Sequence, residues 1–155
     1  MVHDQTSLVI DFGMCFRVPF NNQRQRLLVE PSGTMGKWHY MSPEIVRNRE
    51  PFDPYAIDLW AAGVILFLML TGFPPWEKAD DTDDRFKYMS RGYMVQLLRE
   101  WNLGLSSEAM DLLQSMLYKD PRRRLSLRHV WLHPWIQIQD SVQLGAVTNE
   151  RPPWA

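Results

Sequence analysis

Residues 59–70 read LWAAGVILFLML, twelve apolar residues closed by Thr71-Gly72 and the Pro74-Pro75 break. A run of that length falls short of the roughly 17–20 residues that cross a bilayer, so it reads as a fully buried core helix. Asp53-Pro54 ahead of it has the signature of a helix start, an N-cap acid followed by proline at the first helical position. Asp58 lies at the head of the run, between Ile57 and Leu59. A carboxylate there loses several kcal/mol on burial unless donors surround it. It either faces solvent at the helix start or accepts hydrogen bonds from a loop packed on that end, and position alone leaves both open.

Working outward, Ser42-Pro43-Glu44 is a second helix start, with serine as N-cap. The spacing of Met94, Leu97 and Leu98 predicts a helix over about 93–101. Ala109, Met110, Leu112, Leu113, Met116 and Leu117 form an i, i+3, i+4, i+7 stripe that predicts another, starting at Ser106 or Ser107 and stopped by Asp120-Pro121. A last short helix is expected over about 126–132, ahead of His133-Pro134. Toward the N-terminus, Ser7–Ile10 reads as a short strand, and it runs into Asp11-Phe12-Gly13. Residues 16–36 between these parts are polar, basic and rich in turn formers. A stretch that long without periodicity is functional or disordered rather than a passive connector. The fold class is therefore mainly α.

Composition narrows the function classes. A net charge of -1 over 155 residues gives no electrostatic case for nucleic acid or for an anionic membrane. Arg122-Arg123-Arg124 is the only basic run, and three such residues usually form a solvated face. One cysteine, Cys15, excludes an intramolecular disulfide and fits a reducing, cytoplasmic setting; residues 1–7 are polar and do not resemble a signal peptide. His129 and His133 have i, i+4 spacing but lack the glutamate of a metalloprotease helix. Trp60, Trp76, Trp131 and Trp135 read as core. Glu44 and Arg124 each stand near a helix start with opposite charge, and sequence position does not pair them.

Five ordered blocks carry a family resemblance. DFG at Asp11–Gly13, GKWHYMSPE at Gly36–Glu44, DLWAAG at Asp58–Gly63, LTGFPPW at Leu70–Trp76 and DPRRRLSLRHVWLHPW at Asp120–Trp135 resemble the C-terminal lobe of a eukaryotic-type serine/threonine protein kinase domain. The resemblance implies a helical C-lobe with a short strand before DFG, a partial kinase domain over 1–136 (activation segment 8–44, helical part 42–136) and a tail over 137–155. It implies that the complete domain transfers the ATP γ-phosphate to Ser or Thr of a protein substrate. Asp11 would hold the Mg²⁺ that bridges the ATP phosphates, Phe12 would pack to set the active or inactive state, and Gly13 would give the turn. Asp58 would accept backbone hydrogen bonds from the catalytic loop, and Glu44 with Arg124 would form the ion pair that fixes the end of the activation segment. Residues 33–38 would lie near the peptide substrate, with Ser32 and Thr34 as candidate phosphosites.

Two departures stand beside the match. Lys37 occupies a position where family members usually carry threonine, and an ammonium cannot accept a hydrogen bond. Within these 155 residues there is also no glycine-rich phosphate loop, no V-A-I-K lysine and no H-R-D catalytic loop, so no catalytic residue is retained. The chain is thus expected to be a kinase fragment lacking the N-lobe and inactive alone, the alternatives being a non-catalytic interaction module or a remnant that does not fold stably.

Overall fold

The computed structural model describes residues 2, 3 and 6–138, with side chains from Leu8 onward. Two strands of two residues, β1 (Val2–His3) and β2 (Thr6–Ser7), pair antiparallel with Val2 opposite Ser7. Six α-helices follow: α1 (Pro43–Arg47), α2 (Pro54–Thr71), α3 (Asp84–Tyr88), α4 (Met94–Glu100), α5 (Ser107–Met116) and α6 (Leu127–Trp131). The fold is helix-rich with almost no strand. The strand before Asp11 ends at Ser7, whereas Ser7–Ile10 was the expected span. Leu8, Val9 and Ile10 are exposed and make no backbone hydrogen bonds among the described residues.

α2 organises everything else. Asp53 caps it by accepting from the Tyr55 N–H at 3.0 Å, Pro54 occupies its first turn, and Gly72 closes it at φ 83. It is 18 residues long, longer than the apolar run that announced it, because Tyr55–Asp58 continue the helix toward its cap. By length and composition alone such a helix qualifies as a membrane span, yet one stripe of it, Leu59, Trp60, Gly63, Val64 and Phe67, is buried against other protein. The expectation of burial all round is corrected: Ile65 and Met69 lie on the opposite face, 47% and 77% exposed.

The stripe packs on α5, whose own apolar stripe points back at it, with Leu112 and Leu113 fully buried. Contact is closest at Gly63. A Cβ there would meet Leu117 Cδ2 at 2.9 Å and Met116 Cβ at 3.1 Å, so glycine is what lets the helices approach. α5 is capped by Ser106, whose Oγ accepts from the Ala109 N–H at 3.2 Å. Trp60 of α2 stacks on Trp76 at 5.1 Å, and Phe86 of α3 meets the Trp76 ring edge-on at 5.2 Å. These rings join α2, the loop after it and α3 into one core.

Helix α3 escapes the sequence reading. Asp83 caps it, accepting from the Phe86 N–H at 2.9 Å, and its other oxygen accepts from the Glu77 N–H at 2.8 Å. It runs through a π-helical turn, Met89–Tyr93, into α4, bent where Gly92 adopts φ 97. Ser42 stands at the N-cap of α1 in extended backbone but makes no capping bond, and its buried hydroxyl has no hydrogen-bond partner among the described residues. Trp131 departs from the core expectation: it is 58% exposed at the end of α6, while Trp60 and Trp76 are fully buried and Trp135 packs on the margin. A helical turn over 134–138 crosses the expected boundary of the tail, of which residues 139–155 lie outside the described residues.

Candidate functional site

Asp11 sits in a left-handed backbone conformation, φ 64 and ψ 72, and opens a short 3-10 turn, Phe12–Met14. Its Oδ1 accepts from the Gly13 N–H at 3.4 Å. Such a conformation costs an ordinary residue on the order of 1 kcal/mol and is eased for aspartate by this kind of local bond. The turn expected from Gly13 is thus made at Asp11, and Gly13 serves by its lack of a side chain: a Cβ would stand 3.3 Å from Asp11 Oδ1. Asp11, Phe12 and Gly13 are exposed. Mg²⁺ takes hard oxygen ligands and is held by one or two carboxylates together with substrate phosphates, so the exposed Asp11 carboxylate fits it as one ligand. No group of three His, Cys, Asp or Glu that would hold an ion unaided occurs among the described residues.

Thirty-three residues later the chain reaches Glu44, in the first turn of α1. Its carboxylate receives two hydrogen bonds from Arg124, Nη1 to Oε1 at 2.6 Å and Nη2 to Oε2 at 2.7 Å. The Arg124 side chain is 1% exposed and that of Glu44 15%. The remaining guanidinium protons go to carbonyls, of Ala56 in α2 at 3.1 Å, of Tyr118 at 2.8 Å and of Lys119 at 3.3 Å. The guanidinium also lies 4.6 Å from the centre of the Trp60 ring. One buried cation thereby ties α1, α2 and the chain leaving α5 to the aromatic core, in the planar two-point geometry that arginine alone supplies. The basic run divides accordingly: Arg122 pairs with Asp120 in solvent, Arg123 stacks on Tyr118, and Arg124 goes inside. The solvated-face reading fails for Arg124 because Glu44 and three carbonyls compensate its burial.

Asp58 projects from the first turns of α2 into a cleft of about 490 Å³, walled also by Arg26, Tyr55, Leu125 and Leu127. No hydrogen bond reaches its carboxylate among the described residues, and partial burial pushes its pKa upward. Of the two positions open to it in the sequence, it takes the solvent-facing one: Asp58 is exposed at the head of α2.

The segment between Asp11 and Glu44 lies on the surface and is held at discrete points. Phe20 and Arg26 form an antiparallel bridge, and Arg26 reaches Asp53 at 2.6 Å and covers the Tyr55 ring at 4.0 Å. Near its end, His39 Nε2 meets Glu77 at 3.0 Å, and Lys78 Nζ lies 4.8 Å above the Trp38 ring. Lys37 is exposed and enters no ion pair among the described residues. Ser32 and Thr34 are exposed on either side of Gly33. None of the braces through Asp53, Glu77 and Lys78 was foreseen from the sequence, since no periodicity links residues so far apart. His129 and His133 do not converge: His129 Nδ1 pairs with Ser126 at 3.0 Å, and His133 Nε2 with Asp111 at 3.1 Å.

The sequence matches the family model described as protein kinase domain over residues 1–136. Among curated proteins it is similar to the SNF-related serine/threonine-protein kinase of Homo sapiens, at 38% identity over 105 residues, which are 68% of this chain and 13% of that protein. It is similar to the serine/threonine-protein kinase DCLK3 of Mus musculus, at 34% over 130 residues, 83% of this chain and 16% of the relative. With calcium-dependent protein kinase 13 of Arabidopsis thaliana it shares 38% over 123 residues, 77% of this chain and 22% of the relative. The chain thus spans less than a quarter of the length of each of these relatives. With a match that covers 68–83% of its residues in these relatives and a helical fold laid out in the same order as its motifs, the chain belongs to the protein kinase domain family.

Proposed function

We propose that these residues form the helical lobe of a protein serine/threonine kinase whose complete domain moves the γ-phosphate of ATP to a Ser or Thr hydroxyl of a protein substrate. The observation that carries the reading is the buried two-point pair of Glu44 and Arg124, which anchors the end of the 8–44 segment to the helical core. In this reading residues 1–136 are the kinase part and 137–155 a tail, and the setting is cytoplasmic.

Asp11 supplies one oxygen ligand to Mg²⁺, and its turn points that carboxylate outward rather than into the core. A Mg²⁺ ion held by Asp11 would supply charge neutralisation to the phosphoryl group in transfer. Phe12 is the group that packs differently in active and inactive states, in keeping with its 65% exposure here. Glu44 and Arg124 hold the segment that presents the peptide, and His39–Glu77 steadies its last turn. Asp58 is an acceptor for backbone N–H groups of a catalytic loop. Transfer depends on a phosphate loop, a lysine, metal ligands and a base acting together, so residues 1–155 by themselves are assigned no transfer activity.

The test is a fusion in which the N-terminal part of a relative's kinase domain, through its catalytic loop, precedes residues 8–136. The fusion should phosphorylate a mixed Ser/Thr peptide pool, and Asp11→Asn should lower kcat on the order of 100-fold or more. Equal rates in the fusion and its Asp11→Asn variant would remove Asp11 from the reaction.

A further inference from the structure

Charge is divided unevenly along the chain. Residues 14–52 carry six Lys or Arg against three carboxylates, whereas residues 53–138 carry ten against eleven. Two charges of the first stretch are already matched from the second, Arg26 by Asp53 at 2.6 Å and Glu44 by Arg124. Arg17, Arg24, Lys37, Arg47 and Arg49 are exposed and enter no ion pair among the described residues. Only Glu30 and Glu50 stand among them with opposite sign.

These cations border one strip of surface. Residues 26–33 are pinned beside residues 48–53 at three points: the Arg26–Asp53 pair, the Val29–Phe52 bridge with hydrogen bonds of 2.9 and 3.0 Å, and the Gly33 N–H, which donates to Asn48 Oδ1 at 3.3 Å. Arg24 stands just before the first point, Arg47 and Arg49 flank Asn48 at the last, and Lys37 follows Gly33 by four residues. The strip reaches the turn that presents Asp11. The Cε atoms of Met14 and Met41 each lie 3.9 Å from where a Gly36 Cβ would stand, so the side chain that ends the Phe12–Met14 turn comes close to the neighbour of Lys37.

We propose that this strip selects the protein substrate by charge: the Ser or Thr that receives phosphate is flanked by Asp or Glu, with Lys37 nearest the acceptor residue and Arg49, Arg47 and Arg24 meeting acids farther along. The Lys37 ammonium is a donor only, so a carboxylate is the group it can hold. Each exposed pair adds little, and selectivity comes from the summed field of several. Arg47 contributes less than Arg49, because behind Lys119 it also helps to hold the Asp81 carboxyl below the usual range. A nucleic acid is a poorer fit. Its binding draws on roughly six to ten phosphate contacts, and the cations here are fewer and interrupted by Glu30 and Glu50. That the acidic segment is a substrate rests on the kinase reading; the attraction rests on the strip alone.

The test uses the full chain and three fluorescein-labelled peptides of equal length around a central serine, rich in Glu, in Lys or in Gly, followed by anisotropy at low salt. The Glu peptide should bind at least about tenfold tighter than the other two, and its affinity should fall as salt rises. Lys37→Gln and Arg49→Gln should each weaken it by about two- to fivefold, Lys37→Arg should keep most of it, and Arg99→Gln on α4, outside the strip, should leave it unchanged. All four variants replace exposed side chains and should melt with the parent. Equal affinity for the three peptides overturns the proposal, as does a Glu peptide that fails to bind below about 1 mM. So does a loss confined to Arg99→Gln, or a single-stranded oligonucleotide of the same charge that binds tighter than the Glu peptide. A fusion without transfer activity, beside intact binding of the Glu peptide, would sink the kinase reading instead, which keeps the two failures distinct.

Discussion

Glu44→Gln should cost about 3–5 kcal/mol of unfolding free energy, the range for breaking a buried ion pair from one side. The magnitude follows from what is left behind. Arg124 stays 1% exposed with its charge unmatched, and at least one of the two guanidinium donors now 2.6 and 2.7 Å from carboxylate oxygens faces an amide NH₂ instead. The three carbonyl acceptors of Ala56, Tyr118 and Lys119 remain, so the side chain cannot swing into water without orphaning them, at about 1–3 kcal/mol each. A domain of this size has about 5–15 kcal/mol in all, so a fifth or more of the margin goes. Urea unfolding followed by tryptophan fluorescence should show the midpoint falling by roughly 2 M at unchanged slope. Arg124→Met should cost at least as much, and the Glu44→Leu/Arg124→Met pair clearly less than the sum of its single changes, since no lone charge is then buried. A loss under about 1 kcal/mol for Glu44→Gln, or strict additivity in the cycle, would refute the claim that this pair anchors the fold.

Gly63→Ala should destabilise by up to about 2 kcal/mol, because an overpacking cost of about 1–3 kcal/mol against Leu117 and Met116 at 2.9 and 3.1 Å exceeds the gain of about 1 kcal/mol in helix propensity; a rise in the urea midpoint would count against the close α2–α5 approach. Asp58→Asn should raise the melting temperature at pH 7. Burial lifts the Asp58 pKa above 3.8, so the folded state favours the neutral form and the advantage of asparagine should fade as pH falls below that range; a variant melting lower at pH 7 contradicts this. Asp120 behaves in the opposite sense: the Arg122 side chain, then the Arg122 N–H, hold its pKa at about 2. Its stabilising effect is therefore present above the unfolded value of 3.8 and lost as pH falls toward 2, so Asp120→Asn should lower the melting temperature at pH 6 and match the parent near pH 2.

How much of this was legible in the residues depends on the range of the interaction. Helices whose caps and stripes lie within one turn, such as Asp53-Pro54 for α2 and Ser106 with its Ala109–Leu117 stripe for α5, announce themselves locally. α3 did not, because its signal is one capping aspartate inside an acidic loop with Phe86 and Met89 as the only buried pair. The extent of α2 burial was also misread. An apolar run states that a helix can be buried all round, whereas Ile65 and Met69 show that packing partners decide which faces are. In the candidate site, Asp11, Glu44, Asp58 and Arg124 were singled out, and all four lie in the ordered motifs. The meeting of Glu44 and Arg124 across 80 positions belongs to tertiary structure. The left-handed turn at Asp11, the brace of Arg26 on Asp53 and Tyr55 and the contact of His39 with Glu77 had no sequence signal. Pairwise contacts between single surface residues leave no periodic trace.

Under the proposed function the helical lobe carries kinase groups whose chemistry needs partners beyond residues 1–155, and a single assay reaches this most directly. Purified chain, shown by a cooperative melt to be folded, should be incubated with Mg²⁺ and γ-³²P-ATP and a mixed Ser/Thr peptide pool. The expected result is no peptide label above an enzyme-free blank, in the chain and in its Asp11→Asn variant alike. Label that accumulates with the parent chain and disappears with Asp11→Asn would contradict it, because these residues would then suffice for transfer.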